Sequence, residues 1–208
     1  LLGLEGIEIH SVEPYPPKNF DTTEASSRTV ALMQSSLNVL RAAGLDQFID
    51  EYGTKMNMMR IIDDSIPAQD TLECEFDSFD LGLEYFSMNI PNSLLRARLF
   101  EDITKLKNVT IHETSLHDYT QSNFGVEAQL ENGAKIKTPL IIGADGRQSI
   151  VRKLSGIKAT KKDYGQSAIT CIINHSRAHN NTSTEFHRAG GPFALVPMAG
   201  NQSSVVWV

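Results

Sequence analysis

A carboxylate held in a glycine turn is the clearest chemical signal in the sequence: Asp145 stands in Gly143-Ala144-Asp145-Gly146, directly after Leu140, Ile141 and Ile142. That apolar run is too short for a helix and suits a strand buried on both faces of a parallel sheet. The glycines let the backbone turn sharply and approach a ligand closely. Open α/β sheets bind nucleotides at such a place, beyond the carboxyl end of a strand. Ser149 follows and can cap a short helix through Ile150, Val151 and Leu154. A second acid, Glu13, closes another strand pattern, IEIHSVE, ahead of a break at Pro14, Pro16 and Pro17. Each acid has a plainer alternative. Asp145 can serve only to cap backbone amides, and Glu13 can be a solvated acid at a strand end.

Other chemistry is weakly signalled. His175 and His179 have a metal-ligand spacing if helical, but HSRAHNNTS places no carboxylate to complete a site, so no metal is expected. No nucleophile motif supports a Ser, His and acid arrangement, and Asp63 and Asp64 fall in an exposed loop pattern. Cys74 and Cys171 are isolated, which implies neither a disulfide framework nor zinc and suits a reducing, cytoplasmic compartment. The 208 residues carry a formal net charge of -6 without a block of Lys or Arg, which argues against nucleic acid or an anionic membrane as the main partner. No apolar run has the length to span a bilayer. The chain opens on Leu1 rather than Met, with Leu1 to Gly6 patterned like a helix end and a turn, so an internal piece of a longer protein is expected.

The elements that must position these residues follow from periodicity. Val30, Met33, Leu37 and Leu40 recur at helical spacing, with Ser27 as amino-terminal cap and Gly44 as stop. From Met56 to Ile90, alternations such as Leu72, Cys74 and Phe76 predict antiparallel strands, in which Met56, Met58 and Met59 line a pocket or simply fill core. Pro91 and Asn92 open a helix with Leu95, Leu99, Ile103 and Leu106 on one face. Val109 to Glu113 is patterned as a strand. Val126, Ala128 and Leu130 run into Asn132-Gly133 and then Ile136, a hairpin with a type I′ turn. Residues 168–174, 185–188 and 203–208 return to β pattern.

Four segments together resemble a family. GADGRQSIVR resembles the GADGxxSxVR signature of flavin-dependent aromatic hydroxylases built like p-hydroxybenzoate hydroxylase. The segment SSRTVALMQSSLNVLRAAGL is similar to that family's RxxALxxxSxxxLxxLG, IPNSLLRARLF to its flavin-anchoring helix, and GGPFALVPMAGNQSSVVWV to its GPLALLPL segment, strand and Trp. The branch they resemble is that of the 2-polyprenylphenol hydroxylases of ubiquinone biosynthesis. The resemblance implies an α/β fold: a Rossmann-like FAD-binding domain in residues 1–56 and 91–157, lacking its first strand, and an inserted, mostly antiparallel substrate sheet in 57–90 and 158–208.

By the same resemblance the cofactors are FAD and NAD(P)H, and the reaction inserts one atom of O2 into the ring of a polyprenylphenol. Glu13 would accept hydrogen bonds from ribose hydroxyls, Arg28 at its helix start would reach the phosphate and ribityl region, and Asn92 would contact the flavin. Asp145, with Gly146, would lie near the flavin nucleotide and the nicotinamide path. No catalytic residue is singled out. Without the family, Arg28 is a surface Arg near a helix end, Asn92 a helix cap, and GGPFALVP a hydrophobic edge strand. A quinone-synthesis complex and peripheral association with an inner membrane are implied partners. The family's GxGxxG turn and later GD motif lie outside these residues, which alone are expected to bind FAD poorly and be inactive. A prenyl reductase or halogenase of the same fold, or a non-catalytic lipid-binding or assembly subunit, are the alternatives.

Overall fold

A computed structural model gives the fold and describes residues 1–17, 28–65 and 70–208. In chain order the elements are β1 (Ile9–Val12), β2 (Thr29–Met33), α1 (Gln34–Ala42), α2 (Asp46–Tyr52), β3 (Thr54–Met56) and β4 (Met58–Asp63). There follow β5 (Leu72–Asp77), β6 (Ser87–Pro91), α3 (Asn92–Thr104), β7 (Val109–His112), β8 (Leu116–Ser122) and β9 (Gly125–Leu130). The chain continues through β10 (Lys135–Thr138), α4 (Ile150–Leu154), β11 (Ile169–Asn174), β12 (Thr182–His187), β13 (Phe193–Met198) and β14 (Gln202–Trp207). This mixed α/β fold is mostly antiparallel; only β1 with β7 and β12 with β4 pair in parallel among the described strands. Contacts divide it into a first unit of Leu1, Lys18–Leu99 and Gly165–Val208 and a second of Leu2–Pro17 and Phe100–Tyr164. In the first unit β2, α1, α2 and the start of α3 pack around β6.

In the first unit β6 lies between β2 and β3. Alternation along β6 sends Met88 and Ile90 into a core with Leu37, Leu45, Phe48 and Ile49, while Ser87 and Asn89 occupy the opposite face. The helix expected to begin near Arg28 begins at Gln34, and Thr29–Met33 is a strand paired with Ser87–Pro91. The cause is a coincidence of periods. Val30 and Leu32 face the core two apart, Leu37 and Leu40 continue on the helix, and Met33 is 52% exposed. Ser27, the expected cap, lies outside the described residues. Gly44 does end the helix, at φ 83, with its amide on the Arg41 carbonyl and the Leu45 amide on the Leu40 carbonyl.

A six-stranded sheet runs β11-β14-β13-β12-β4-β5. The GGPFALVP segment forms β13 in its interior, so the edge-strand alternative is excluded. Pro197 is tolerated one residue from the strand's end.

In the second unit β8, β9 and β10 form an antiparallel sheet over Leu116, Ala128, Leu130 and Ile136. The Asn-Gly hairpin forms, but with a different turn. Gly133 alone takes positive φ, at 84, its amide reaches the Leu130 carbonyl at 2.9 Å, and the Asn132 side chain accepts the Ala134 amide at 3.1 Å. The loop therefore closes around a left-handed glycine instead of two left-handed residues. Strand β8 had no alternating apolar signal, since it carries Leu116 and then mostly exposed polar residues.

The expected strand at Leu140–Ile142 is not formed: the segment has no ladder partner among the described residues, and Leu140 and Ile142 are 66% and 65% exposed. A parallel strand becomes buried only when strands flank it and helices cover its faces. Here Ile141 alone packs inward, beside Ile150 and Val151.

Candidate functional site

The Asp145 turn is built from its neighbours. Gly143 admits α4 at close range, since a Cβ there would lie 2.9 Å from the Val151 Cβ. Ser149 caps α4 by accepting the Arg152 amide at 3.0 Å, as its position before the apolar residues predicts. Asp145 Oδ2 accepts the Ile150 and Val151 amides at 2.6 and 3.1 Å. Burial works to raise this carboxyl, but hydrogen bonds from Ser149 and from the Val151, Asp145 and Ile150 amides outweigh it and hold the group below its ordinary range. Asp145 is therefore an ionised acceptor at neutral pH. The capping alternative is part of the structure. Gly146 turns at φ 77, and no heavy atom lies within 4 Å of where its Cβ would be. The mouth of the turn is open.

Glu13 follows β1, and its amide donates to the His112 carbonyl at 3.0 Å, extending the parallel pairing. Its Oε1 accepts the Tyr15 amide at 3.0 Å, which fixes the carboxylate and leaves Oε2 for a ligand hydroxyl. Val12, beside Glu13, and Val151, on the helix that Asp145 caps, pack against the same cluster. One apolar cluster thus positions both acids. On the adjoining strands His10 Nδ1 and His112 Nε2 lie 3.0 Å apart, a pair that sequence reading missed because its partners are 102 residues apart. Burial, and then the charge of His10, lower His112.

In the first unit Arg28 precedes β2 instead of opening a helix, so no helix dipole assists it. The exposed Arg28 and the half-buried Asn92 are nonetheless brought together: the Asn92 amide donates to the Arg28 carbonyl at 3.1 Å where β6 passes into α3. A cavity of about 690 Å³ in this unit is lined by Arg41, Thr54, Lys55, Glu84, Tyr85 and Asn181, among others, and by none of the residues singled out in the sequence. Arg41 donates to the Tyr85 hydroxyl at 2.6 Å, a bond that raises its pKa against the opposing effect of burial. Lys55 pairs with Glu84, so the cavity wall is polar but electrically balanced. His175 and His179 are not on a helix, and their ring nitrogens contact Arg177, Ser203, Met198 and Asn181. Among the described residues no group of three or more His, Cys, Asp or Glu could hold a metal ion, and no helix is long and apolar enough to cross a membrane.

A family model described as FAD binding domain matches residues 1–208, the whole chain. The chain belongs to this FAD-binding family. Its resemblance to ubiquinone-biosynthesis hydroxylases extends to relatives so named. Ubiquinone hydroxylase UbiL of Rhodospirillum rubrum is 36% identical over 119 residues, 57% of this chain and 28% of that protein. The mitochondrial ubiquinone biosynthesis monooxygenase COQ6 of Caenorhabditis elegans is 29% identical over 191 residues, 88% of this chain and 41% of the relative. The fold is shared with PqsL, described as a probable FAD-dependent monooxygenase from Pseudomonas aeruginosa, at a TM-score of 0.82 and 19% identity, over 99% of this chain and 54% of that one. The chain thus spans well under half the length of these two curated relatives. FAD is the cofactor of this family, and the residues present suit parts of it. A carboxylate with one oxygen uncommitted suits ribose, and an ionised acid at an open glycine turn suits a nucleotide's donors.

Proposed function

We propose that the chain is the nucleotide- and substrate-binding part of a FAD-dependent monooxygenase that hydroxylates the aromatic ring of a polyprenylphenol in ubiquinone synthesis, using NAD(P)H and O2. The observation that carries this reading is the Asp145–Gly146 turn, in which an ionised carboxylate is fixed on the amides of α4 beside an open backbone. The family match and the relatives' names support the reaction class.

In this reading Glu13 Oε2 takes the ribose hydroxyls, the Arg28 guanidinium faces phosphate and ribityl oxygens, and Asn92 contacts the flavin. Asp145 and Gly146 border the nucleotide and the nicotinamide's approach. Bound FAD would supply the electron transfer to O2 and the delivery of one oxygen atom to the ring. The protein's own part is to orient the phenol and exclude water, which explains why no acid/base pair stands out. The strands within 57–90 and 158–208 form the substrate side. A long isoprenoid tail makes peripheral membrane association and membership of a quinone-synthesis complex part of the same proposal.

The test is the full-length protein with FAD. Addition of a polyprenylphenol is expected to stimulate NAD(P)H oxidation and place one atom of isotopically labelled O2 in the hydroxylated product. A flavin-loaded protein that consumes no NAD(P)H with the phenol, or whose product carries no label, refutes the reading.

A further inference from the structure

Three buried side-chain oxygens lack a hydrogen-bond partner among the described residues, on Asn57, Asp64 and Asn89, and of these only Asn89 belongs to a fully buried residue, 2% exposed. Asn89 is central in β6, in register with Ala31 on one side and Thr54 on the other. Its side chain projects away from the Met88–Ile90 core face, and its Nδ2 donates to the Pro197 carbonyl at 2.8 Å. A carbonyl can only accept, so this bond fixes which end of the amide is nitrogen and leaves Oδ1 as the orphan. Leucine has a similar size and would carry no such penalty, and native proteins bury few unmatched acceptors. The strand that holds Asn89 reaches Asn92 three residues later, beside Arg28, while its partner Pro197 belongs to the interior strand of the six-stranded sheet.

We propose that Asn89 Oδ1 accepts a hydrogen bond from the phenolic hydroxyl of the substrate, while Nδ2 holds Pro197 in place beside it. This rests on the monooxygenase reading above and adds a specificity residue to it. A group that can only accept selects a ligand that donates. It therefore favours a phenol or hydroquinol over the corresponding ether or quinone, which present no donor there, and leaving the buried oxygen unmatched with those ligands costs affinity.

The experiment uses the full-length holoenzyme, with 2-geranylphenol and its methyl ether as probes and the perturbation of flavin absorbance as the readout. Wild type is expected to bind the phenol about tenfold or more tightly than the ether. Asn89→Leu is expected to bind the two with equal affinity through weaker phenol binding, with FAD affinity unchanged. Asn89→Asp keeps an acceptor and is expected to keep the preference, which separates the role of Oδ1 from that of the Pro197 contact. Wild-type discrimination retained by Asn89→Leu overturns the proposal, as does its loss in Asn89→Asp. A fall in FAD affinity with phenol preference intact also overturns it, because the donor would then be the flavin. A wild-type enzyme that turns over the phenol yet gives these results sinks the Asn89 assignment alone; one that does not turn it over sinks the monooxygenase reading.

Discussion

The two compact units solve burial differently. The first encloses Leu37, Phe48, Ile49 and Ile90 almost completely, with helices closing one face of a three-stranded sheet. The second has a smaller cluster around Leu130, a parallel pairing of only two strands, and Leu140 and Ile142 left open. Yet the second carries Glu13, Asp145 and Gly146. Polar residues tie its turns locally, through the caps at Asp145 and Ser149 and the Glu13–Tyr15 bond. A ligand binding only the folded state would add stability where the core is thinnest.

Core truncation tests this contrast most severely. Phe48→Ala is expected to cost about 3–5 kcal/mol and to lower the urea midpoint reported by the single Trp, Trp207, which lies in the same unit. Leu130→Ala should cost less, about 2–3 kcal/mol, because its small cluster has partly exposed neighbours that can close over the space, and amide exchange across β8–β10 would show it. A larger loss for Leu130 than for Phe48 would reverse the comparison.

Smaller effects come from the polar residues. Asp145→Ala removes a cap from α4 and is expected to cost about 1 kcal/mol at pH 7. Because the folded carboxyl lies below its unfolded value, this contribution is present in full above about pH 4 and fades as pH falls through the folded value. Denaturation midpoints of wild type and variant should therefore approach one another in acid, and a gap that is independent of pH would refute the ionised cap. The smallest signal is that of His112. Burial and His10 favour its neutral form, so its share of stability is present above about pH 6.5 and is lost as pH falls through the lower folded value. Imidazole resonances titrating at or above the ordinary value would contradict the paired geometry.

Features set by neighbours in the chain were legible. Gly44 as a stop, Ser149 as a cap, α3 after Pro91 and the β9–β10 hairpin each depend on a few consecutive residues. Thr29–Met33 has the sequence pattern of a helix because a two-residue period leading into a helix imitates a longer helical stripe, and only the pairing with β6 distinguishes them. The Leu140–Ile142 segment has the composition of a buried strand, although burial also requires flanking strands.

The sequence by itself determined the family, through GADGRQS, and put forward the side chains proposed for the cofactor: Glu13 and Asp145 at the ends of apolar runs, Arg28 and Asn92 in recognisable segments. Tertiary structure alone decided that Arg28 and Asn92 share a backbone bond, that His10 meets His112, and that Asn89 reaches Pro197 with an oxygen to spare. The reason is separation along the chain. Capping and turns act over a few residues and leave a local pattern, whereas a contact between positions far apart in the chain exists only once strand pairing has fixed which face each side chain takes.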